Sequence, residues 1–118
     1  MAASTEKDAA KTRRIRDLND ELRRNMLSGL GATMLSAGIA ALPIGSRSQV
    51  MQRVAAFAAF TPDNDPHGEH DFGNFDHDGR KLFWKIDYYA LDMQGGSEDP
   101  SDPALTMRVL TIMFAEEY

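Results

Sequence analysis

Six side chains able to bind ligands or move protons, Asp63, Asp65, His67, Glu69, His70 and Asp71, crowd into nine consecutive positions. Asp63-x-Asp65-x-His67-Gly68 copies the first half of a calcium-binding EF-hand loop. That loop needs a bidentate Glu at its twelfth position, where this chain has Asn74, and His67 stands where an oxygen ligand belongs. A transition metal would use imidazole with carboxylate, so His67 and His70, with Asp63, Glu69 or Asp87, form the candidate metal set. A third chemistry is proton transfer by His70, with Asp87 fixing its tautomer. Spacing ties no nucleophile to that pair; Thr61, Ser97 and Ser101 are merely present. Set against all three is a structural loop, in which Asp and Asn cap backbone N–H groups, Gly68 and Gly73 take special backbone angles, and His70 pairs with Asp87. The residue types favour this structural reading. No cofactor is expected, and a divalent metal is the competing alternative. The chain has no phosphate-binding glycine loop, nucleophile elbow or dinucleotide fingerprint.

Whatever the cluster does, neighbouring elements must position it. Asp78-Gly79 tolerates the positive φ angles of a type I′ turn, and strand-like runs flank it. With those two residues as the whole loop, Asp76 faces Lys81, Phe75 faces Leu82, Gly73 faces Trp84, Phe72 faces Lys85 and His70 faces Asp87. The indole can then lie over the side chain that Gly73 lacks. Leu82, Trp84, Ile86 and Tyr88 share the expected core face; Phe83, Lys85, Asp87 and Tyr89 share the other.

Upstream, residues 1–12 are expected to form a flexible terminus, with a helix over roughly Lys7 to Leu27. Ile15, Leu18, Leu22 and Met26 fall on one helical face, with Arg13, Arg14, Arg16, Arg23 and Arg24 on the others. Gly29 and Gly31 stop that helix, and Ala32 to Ser36 can form a short strand. A second helix is expected from Arg47 to Phe60, capped by Ser46. Val50, Val54 and Phe57 would be buried, and Ala55, Ala56, Ala58 and Ala59 would allow close packing. Downstream of the hairpin, Asp102-Pro103 reads as an N-cap followed by proline at the first helical position. Beyond it, Leu105, Val109, Ile112 and Met113 fit a helical stripe, while Val109 to Phe114 also suit a buried strand. A lone hairpin is marginal in water, so the favoured reading is one helical turn near Pro103 and then a third strand from about Arg108 to Ala115. The fold class is α+β: two N-terminal helices packed on a small, mainly antiparallel sheet with a central β-hairpin, forming one domain over residues 13–118.

At 118 residues the chain can bury a core without metal or disulfide staples. It has no Cys, which excludes disulfides and thiolate zinc sites. No stretch approaches the ~20 apolar residues of a membrane span, so no membrane association is expected and the location expected is cytoplasmic. The net charge of −5 is unevenly placed. Residues 1–60 carry nine Lys/Arg and five Asp/Glu, giving +4; residues 61–118 carry four and thirteen, giving −9. Such an acidic half would repel phosphate, so direct nucleic-acid binding is not expected. An acidic face at Asp92, Glu98, Asp99 and Asp102 suits a protein partner with a basic surface.

Several segments together resemble a known family. They are Phe60-Thr-Pro-Asp-Asn-Asp-Pro-His-Gly-Glu-His-Asp-Phe-Gly73, Phe83-Trp-Lys-Ile-Asp-Tyr-Tyr89, Ser97 to Pro103, and Arg108-Val-Leu-Thr-Ile-Met113. The resemblance is to small bacterial proteins of unknown function, mainly alphaproteobacterial and often carried on mobile DNA, and it runs from about residue 13 onward. It implies no activity, cofactor or catalytic residue. It does imply a context, because accessory genes of mobile elements often encode inhibitors of host defence. The functional expectation is therefore a small acidic non-enzymatic interaction protein, a mobile-element inhibitor of a host nucleic-acid-handling or defence complex of the anti-CRISPR or antirestriction type. A metal-dependent or His-assisted enzyme centred on Asp63 to Asp71 is the alternative. A homodimer acting through the Arg-rich first helix is a third option.

Overall fold

Asp78 and Gly79 both take positive φ, 51° and 78°, as a type I′ corner demands. The computed structural model describes residues 2–118. Around this corner, β2 (Phe72–His77) and β3 (Arg80–Tyr89) pair antiparallel in the expected register: Gly73 opposite Trp84, Phe75 opposite Leu82, Asp76 opposite Lys81. A Cβ on Gly73 would collide with the Trp84 ring, so only glycine lets the indole lie flat over this strand.

The third strand, β4 (Met107–Phe114), pairs antiparallel with β3. It follows a 3₁₀ turn at Pro103–Leu105, where the Asp102 carboxylate accepts from the Ala104 N–H. The short strand near residue 32 is present as β1 (Gly31–Leu35), and it pairs parallel to β4. The sheet is mixed, in the order β1-β4-β3-β2. With two of its three pairings antiparallel, the architecture is α+β.

Helix α1 (Ala2–Arg24) begins before the expected Lys7 and ends before Leu27. Its Ile15, Leu18 and Leu22 are buried as the periodicity requires. Arg23 departs from the expectation. Instead of facing water on a basic face it is 1 % exposed. A one-turn helix the sequence did not signal, α2 (Ala37–Ala40), is capped by Ser36. The next helix, α3 (Ile44–Ala56), starts earlier than Arg47, with Pro43 rather than Ser46 at its N-cap. Proline is preorganised for a helix start, which leaves the Ser46 hydroxyl free to meet His77 Nε2 at 2.8 Å. The helix stops at Ala56 rather than Phe60, and Ala56, Ala58 and Ala59 are exposed instead of packed. Phe57 leaves helical geometry with ψ 130°, and Phe57 and Phe60 both pack against the core from the non-helical segment that follows.

One side of the sheet carries the core. Leu22, Val50 and Val54 from the helices meet Leu82, Trp84, Ile86, Leu110, Ile112 and Phe114 from the strands. After β4, a 3₁₀ turn at Ala115–Glu117 folds back on α2. The Glu117 carboxylate accepts from the Ser36 hydroxyl (2.6 Å), the Gly38 N–H (2.8 Å) and the Phe114 N–H (2.9 Å). These bonds hold its pKa below the usual carboxylate range, the Ser36 hydroxyl contributing most.

Gly73→Ala is expected to destabilise the fold by about 1–3 kcal/mol, an overpacking cost. Gly79→Ala has open space and meets only the positive-φ penalty of roughly 1–2 kcal/mol. Urea unfolding of both variants, with Trp84 fluorescence as the reporter, checks this. The indole spectrum should change in the native state only for Gly73→Ala.

Candidate functional site

The polar loop does not project into solvent; it is stitched to α1. Asp65 starts the stitching. Its buried carboxylate accepts from the backbone N–H groups of Glu69 (3.1 Å) and His70 (3.2 Å). A carboxylate that accepts N–H bonds rounds the loop without a metal. Gly68 and then His70 take positive φ, 69° and 54°. That left-handed step turns His70 out of the hairpin ladder, so the expected pairing with Asp87 does not form. The His70 ring crosses instead to α1, where Nδ1 lies 2.9 Å from Asp20 Oδ1. The ring stacks on Phe60 at 3.7 Å between centroids, and Nε2 lies 3.8 Å from Asp65 Oδ2. Asp87 stays on the far side of the sheet, paired with Lys85 at 3.0 Å.

Asp20 also holds Arg23 (2.7 Å), and the Arg23 guanidinium donates to the carbonyls of Val54 (2.9 Å) and Phe57 (3.0 Å) at the end of α3. Its flat face lies over Trp84 at 4.7 Å and Phe60 at 5.3 Å. Burial lowers its pKa, and Asp20 works in the opposite sense. One turn earlier, Asn19 makes a second tie. Its Nδ2 donates to the Glu69 carbonyl (3.0 Å) and to the Tyr88 hydroxyl (2.8 Å), and its Oδ1 accepts from Arg108 Nε (3.0 Å). The Tyr88 hydroxyl donates to Glu69 Oε1 at 2.8 Å. Burial pushes the Tyr88 pKa well up, so the phenol stays protonated and can donate. The fully buried Arg108 is held by two neutral oxygens, Asn19 Oδ1 and the Pro100 carbonyl.

The six clustered residues therefore separate. Asp65, Glu69 and His70 are structural ties. Asp63 and His67 are exposed. Asp71 is half-buried, and burial followed by repulsion from Glu69 raises its pKa. Among the described residues, no three of His, Asp and Glu converge on a point that could hold a metal ion. The EF-hand spacing fails geometrically, because the Asp65 oxygens face loop amides rather than a common centre with Asp63. The opening beside His70, about 270 Å³, is lined by Asp20, Arg23, Arg24, Phe57, Ala58, Phe60 and His70, with no hydroxyl among them. The His70–Asp20 pair can fix a tautomer, but both ring nitrogens already face carboxylates.

The acidic candidates lie elsewhere, on the ordered loop between β3 and β4. Thr106, buried at its end, donates to the Asp102 carbonyl (2.9 Å) and meets the Ser97 hydroxyl (2.7 Å). Ser97 N–H donates to the Tyr88 carbonyl at 3.0 Å, so the loop folds back along β3. Asp99 binds the Ser101 hydroxyl (2.5 Å) and faces Lys11 (3.8 Å). These partners, the Ser101 hydroxyl first, keep its pKa low. Asp99 and Asp102 thus shape the loop, while Asp92 and Glu98 are exposed at its rim. Between those two lies an open groove of about 340 Å³, floored by Ala90, Leu91 and Leu105. Leu91 is 58 % exposed and Leu105 44 % exposed. The sequence did not signal this apolar floor, although Leu91 and Leu105 flank the acidic run.

No helix among the described residues is long and apolar enough to cross a membrane. Residues 35–117 match the model of a family described as Protein of unknown function (DUF3768). No curated protein and no solved structure matches the chain.

Arg23→Leu is expected to cost about 3–5 kcal/mol, because it strips a buried pair of one partner. His67→Ala, on the exposed side of the same loop, should stay within about ±0.5 kcal/mol. Chemical denaturation of both variants checks this contrast. A raised carboxyl pKa in the folded state favours the protonated form. Stability linked to Asp71 is therefore present below the ordinary aspartate range and lost as pH rises through the raised value. Asp71→Asn should be more stable than the parent chain at pH 7, and the gain should vanish in acid when melting is followed across pH.

Proposed function

The chain belongs to the family described as Protein of unknown function (DUF3768), and we propose that it is a small non-enzymatic interaction protein that seats a basic segment of a protein partner in the groove between Asp92 and Glu98. One observation carries this reading: an ordered loop holds Leu91 and Leu105 out to solvent beside two exposed carboxylates. Exposed apolar surface rimmed by charge is the usual anatomy of a recognition site. The surrounding charge supports it. Of the four cations in residues 61–118, Arg108 is buried, Arg80 pairs with Glu116 and Lys85 pairs with Asp87. The acid surplus of this half is therefore directed outward. A basic segment carrying an apolar side chain would be drawn in by the field and held by the floor. Nucleic-acid-handling complexes present such segments, and the resemblance to proteins of mobile DNA makes a host defence complex the partner to test first.

Capture from host lysate at low and high salt tests the reading, provided that retention depends on the groove. The parent chain should hold a partner at low salt. Glu98→Lys and Leu91→Ser should each weaken purified binding about ten-fold, equivalent to about 1.4 kcal/mol. Asp76→Lys, the same charge change near the turn end of β2, should bind like the parent. A partner retained equally by all variants, or no partner at all, overturns the proposal.

A further inference from the structure

A sheet with water on one side normally alternates apolar and polar residues along each strand. Here the side away from the helices does not follow that rule. Its β4 positions are Met107, Val109, Thr111 and Met113, three of them apolar. Beside them stand Phe83 and Tyr89 of β3 and Met34 of β1, the last 55 % exposed. Met113, 7 % exposed, is already covered at one end of this face, and Phe83 is flanked by the Phe72 and Tyr118 rings. Met107, Val109, Thr111 and Tyr89 are only partly covered, and none of these residues belongs to the core cluster on the opposite side. An apolar run through both faces of a central strand is the pattern of a strand covered twice, yet α1, α2 and α3 all send their buried side chains to one side.

We infer that this open face is the interface of a symmetric dimer, a second copy laying its own sheet against the first at the roughly 10 Å spacing of stacked sheets. Charge selects the occupant. The centre of the face carries one cation and one anion, Lys85 and Asp87, two residues apart and 3.0 Å from each other. A two-fold axis between the sheets sets Lys85 of one copy opposite Asp87 of the other, and the reverse, so the face is complementary to itself. It carries no net charge at its centre, so the −5 of the chain opposes approach only from outside the contact, through charges that salt screens. A strand of nucleic acid would find aromatic rings on which to stack, but the one cation of this side outside the Lys85–Asp87 pair is Lys81, exposed at the turn end of β3 and away from the centre. This face adjoins the acidic groove, since Met107 and Leu91 line one opening, but its central Lys85 and Asp87 are not groove residues.

Sedimentation of the full chain across protein concentration tests the inference. The parent chain should approach twice the monomer mass as concentration rises, and Val109→Arg should sediment as a monomer with unchanged circular dichroism. Should Val109→Arg fail to fold, the charges supply a second test. Lys85→Glu leaves two anions at the centre and Asp87→Lys leaves two cations, so each variant alone should remain monomeric. An equimolar mixture of the two should restore the dimer. A parent chain that stays monomeric throughout overturns the inference, as does a dimer that survives Val109→Arg. Binding of a single-stranded oligonucleotide that Val109→Arg abolishes, by a parent chain that stays monomeric, would assign the face to nucleic acid and also overturn it.

Discussion

A guanidinium out of water has to be surrounded by acceptors, and Arg23 imposes that requirement on the whole molecule. Taking such a charge out of solvent costs several kcal/mol, offset only by good geometry. The geometry comes from four separate places: Asp20 on its own helix, two carbonyls at the end of α3, the Trp84 ring of β3 and the Phe60 ring of the connecting segment. Each must be in position for the charge to be tolerated. Asp20 in turn anchors His70, and His70 stacks back on Phe60. The end of α3, the loop and the hairpin are thus tied through one side chain of α1.

The same ties draw Asp65, Glu69 and His70 of the polar loop inward. Carboxylates and imidazoles serve catalysis when a functional atom faces an open space. In this loop the functional atoms of Asp65, Glu69 and His70 face backbone N–H groups, a buried phenol and α1, while Asp63 and His67 face solvent. The outward chemistry has moved to the β3–β4 loop. There, Thr106 and Ser97 hold the backbone while leucines and carboxylates remain on the surface. Groove and sheet face adjoin at Leu91 and Met107, one acidic at its rim and the other balanced at its centre.

Much of the framework was legible. The Asp78-Gly79 corner fixes hairpin register by local backbone chemistry, so four cross-strand pairs from Phe72 to Lys85 follow by counting. The third strand followed from the need to cover a hairpin, and its preceding turn from Asp102-Pro103. What was not legible depended on long-range geometry. Pairing His70 with Asp87 extended the count to a residue whose left-handed φ breaks it; histidine tolerates that angle better than most residues, but nothing in the local sequence requires it here. Arg23 looked solvated because helical periodicity reports apolar stripes, whereas its burial depends on carbonyls 31 and 34 residues away. Asn19 and Asp20, beside Leu18 and Leu22, share that reason. The groove floor was missed because two leucines in separate turns meet only after the loop folds back.

The parallel pairing of β1 with β4 has a consequence for how the chain comes off the ribosome. Gly31 aligns with Arg108, so β1 has no neighbour in the sheet until the last strand has emerged. Asn19 likewise waits for Arg108, and Ser36 for Glu117. The hairpin can pair as soon as it is made, though it is marginal alone, and α1 can meet α3 and the loop early, but β1 must wait for β4. Such late closure slows folding and lengthens exposure to misassociation. The many charges along α1 suit that interval, because they keep a nascent helix in solution while its sheet is still being synthesised.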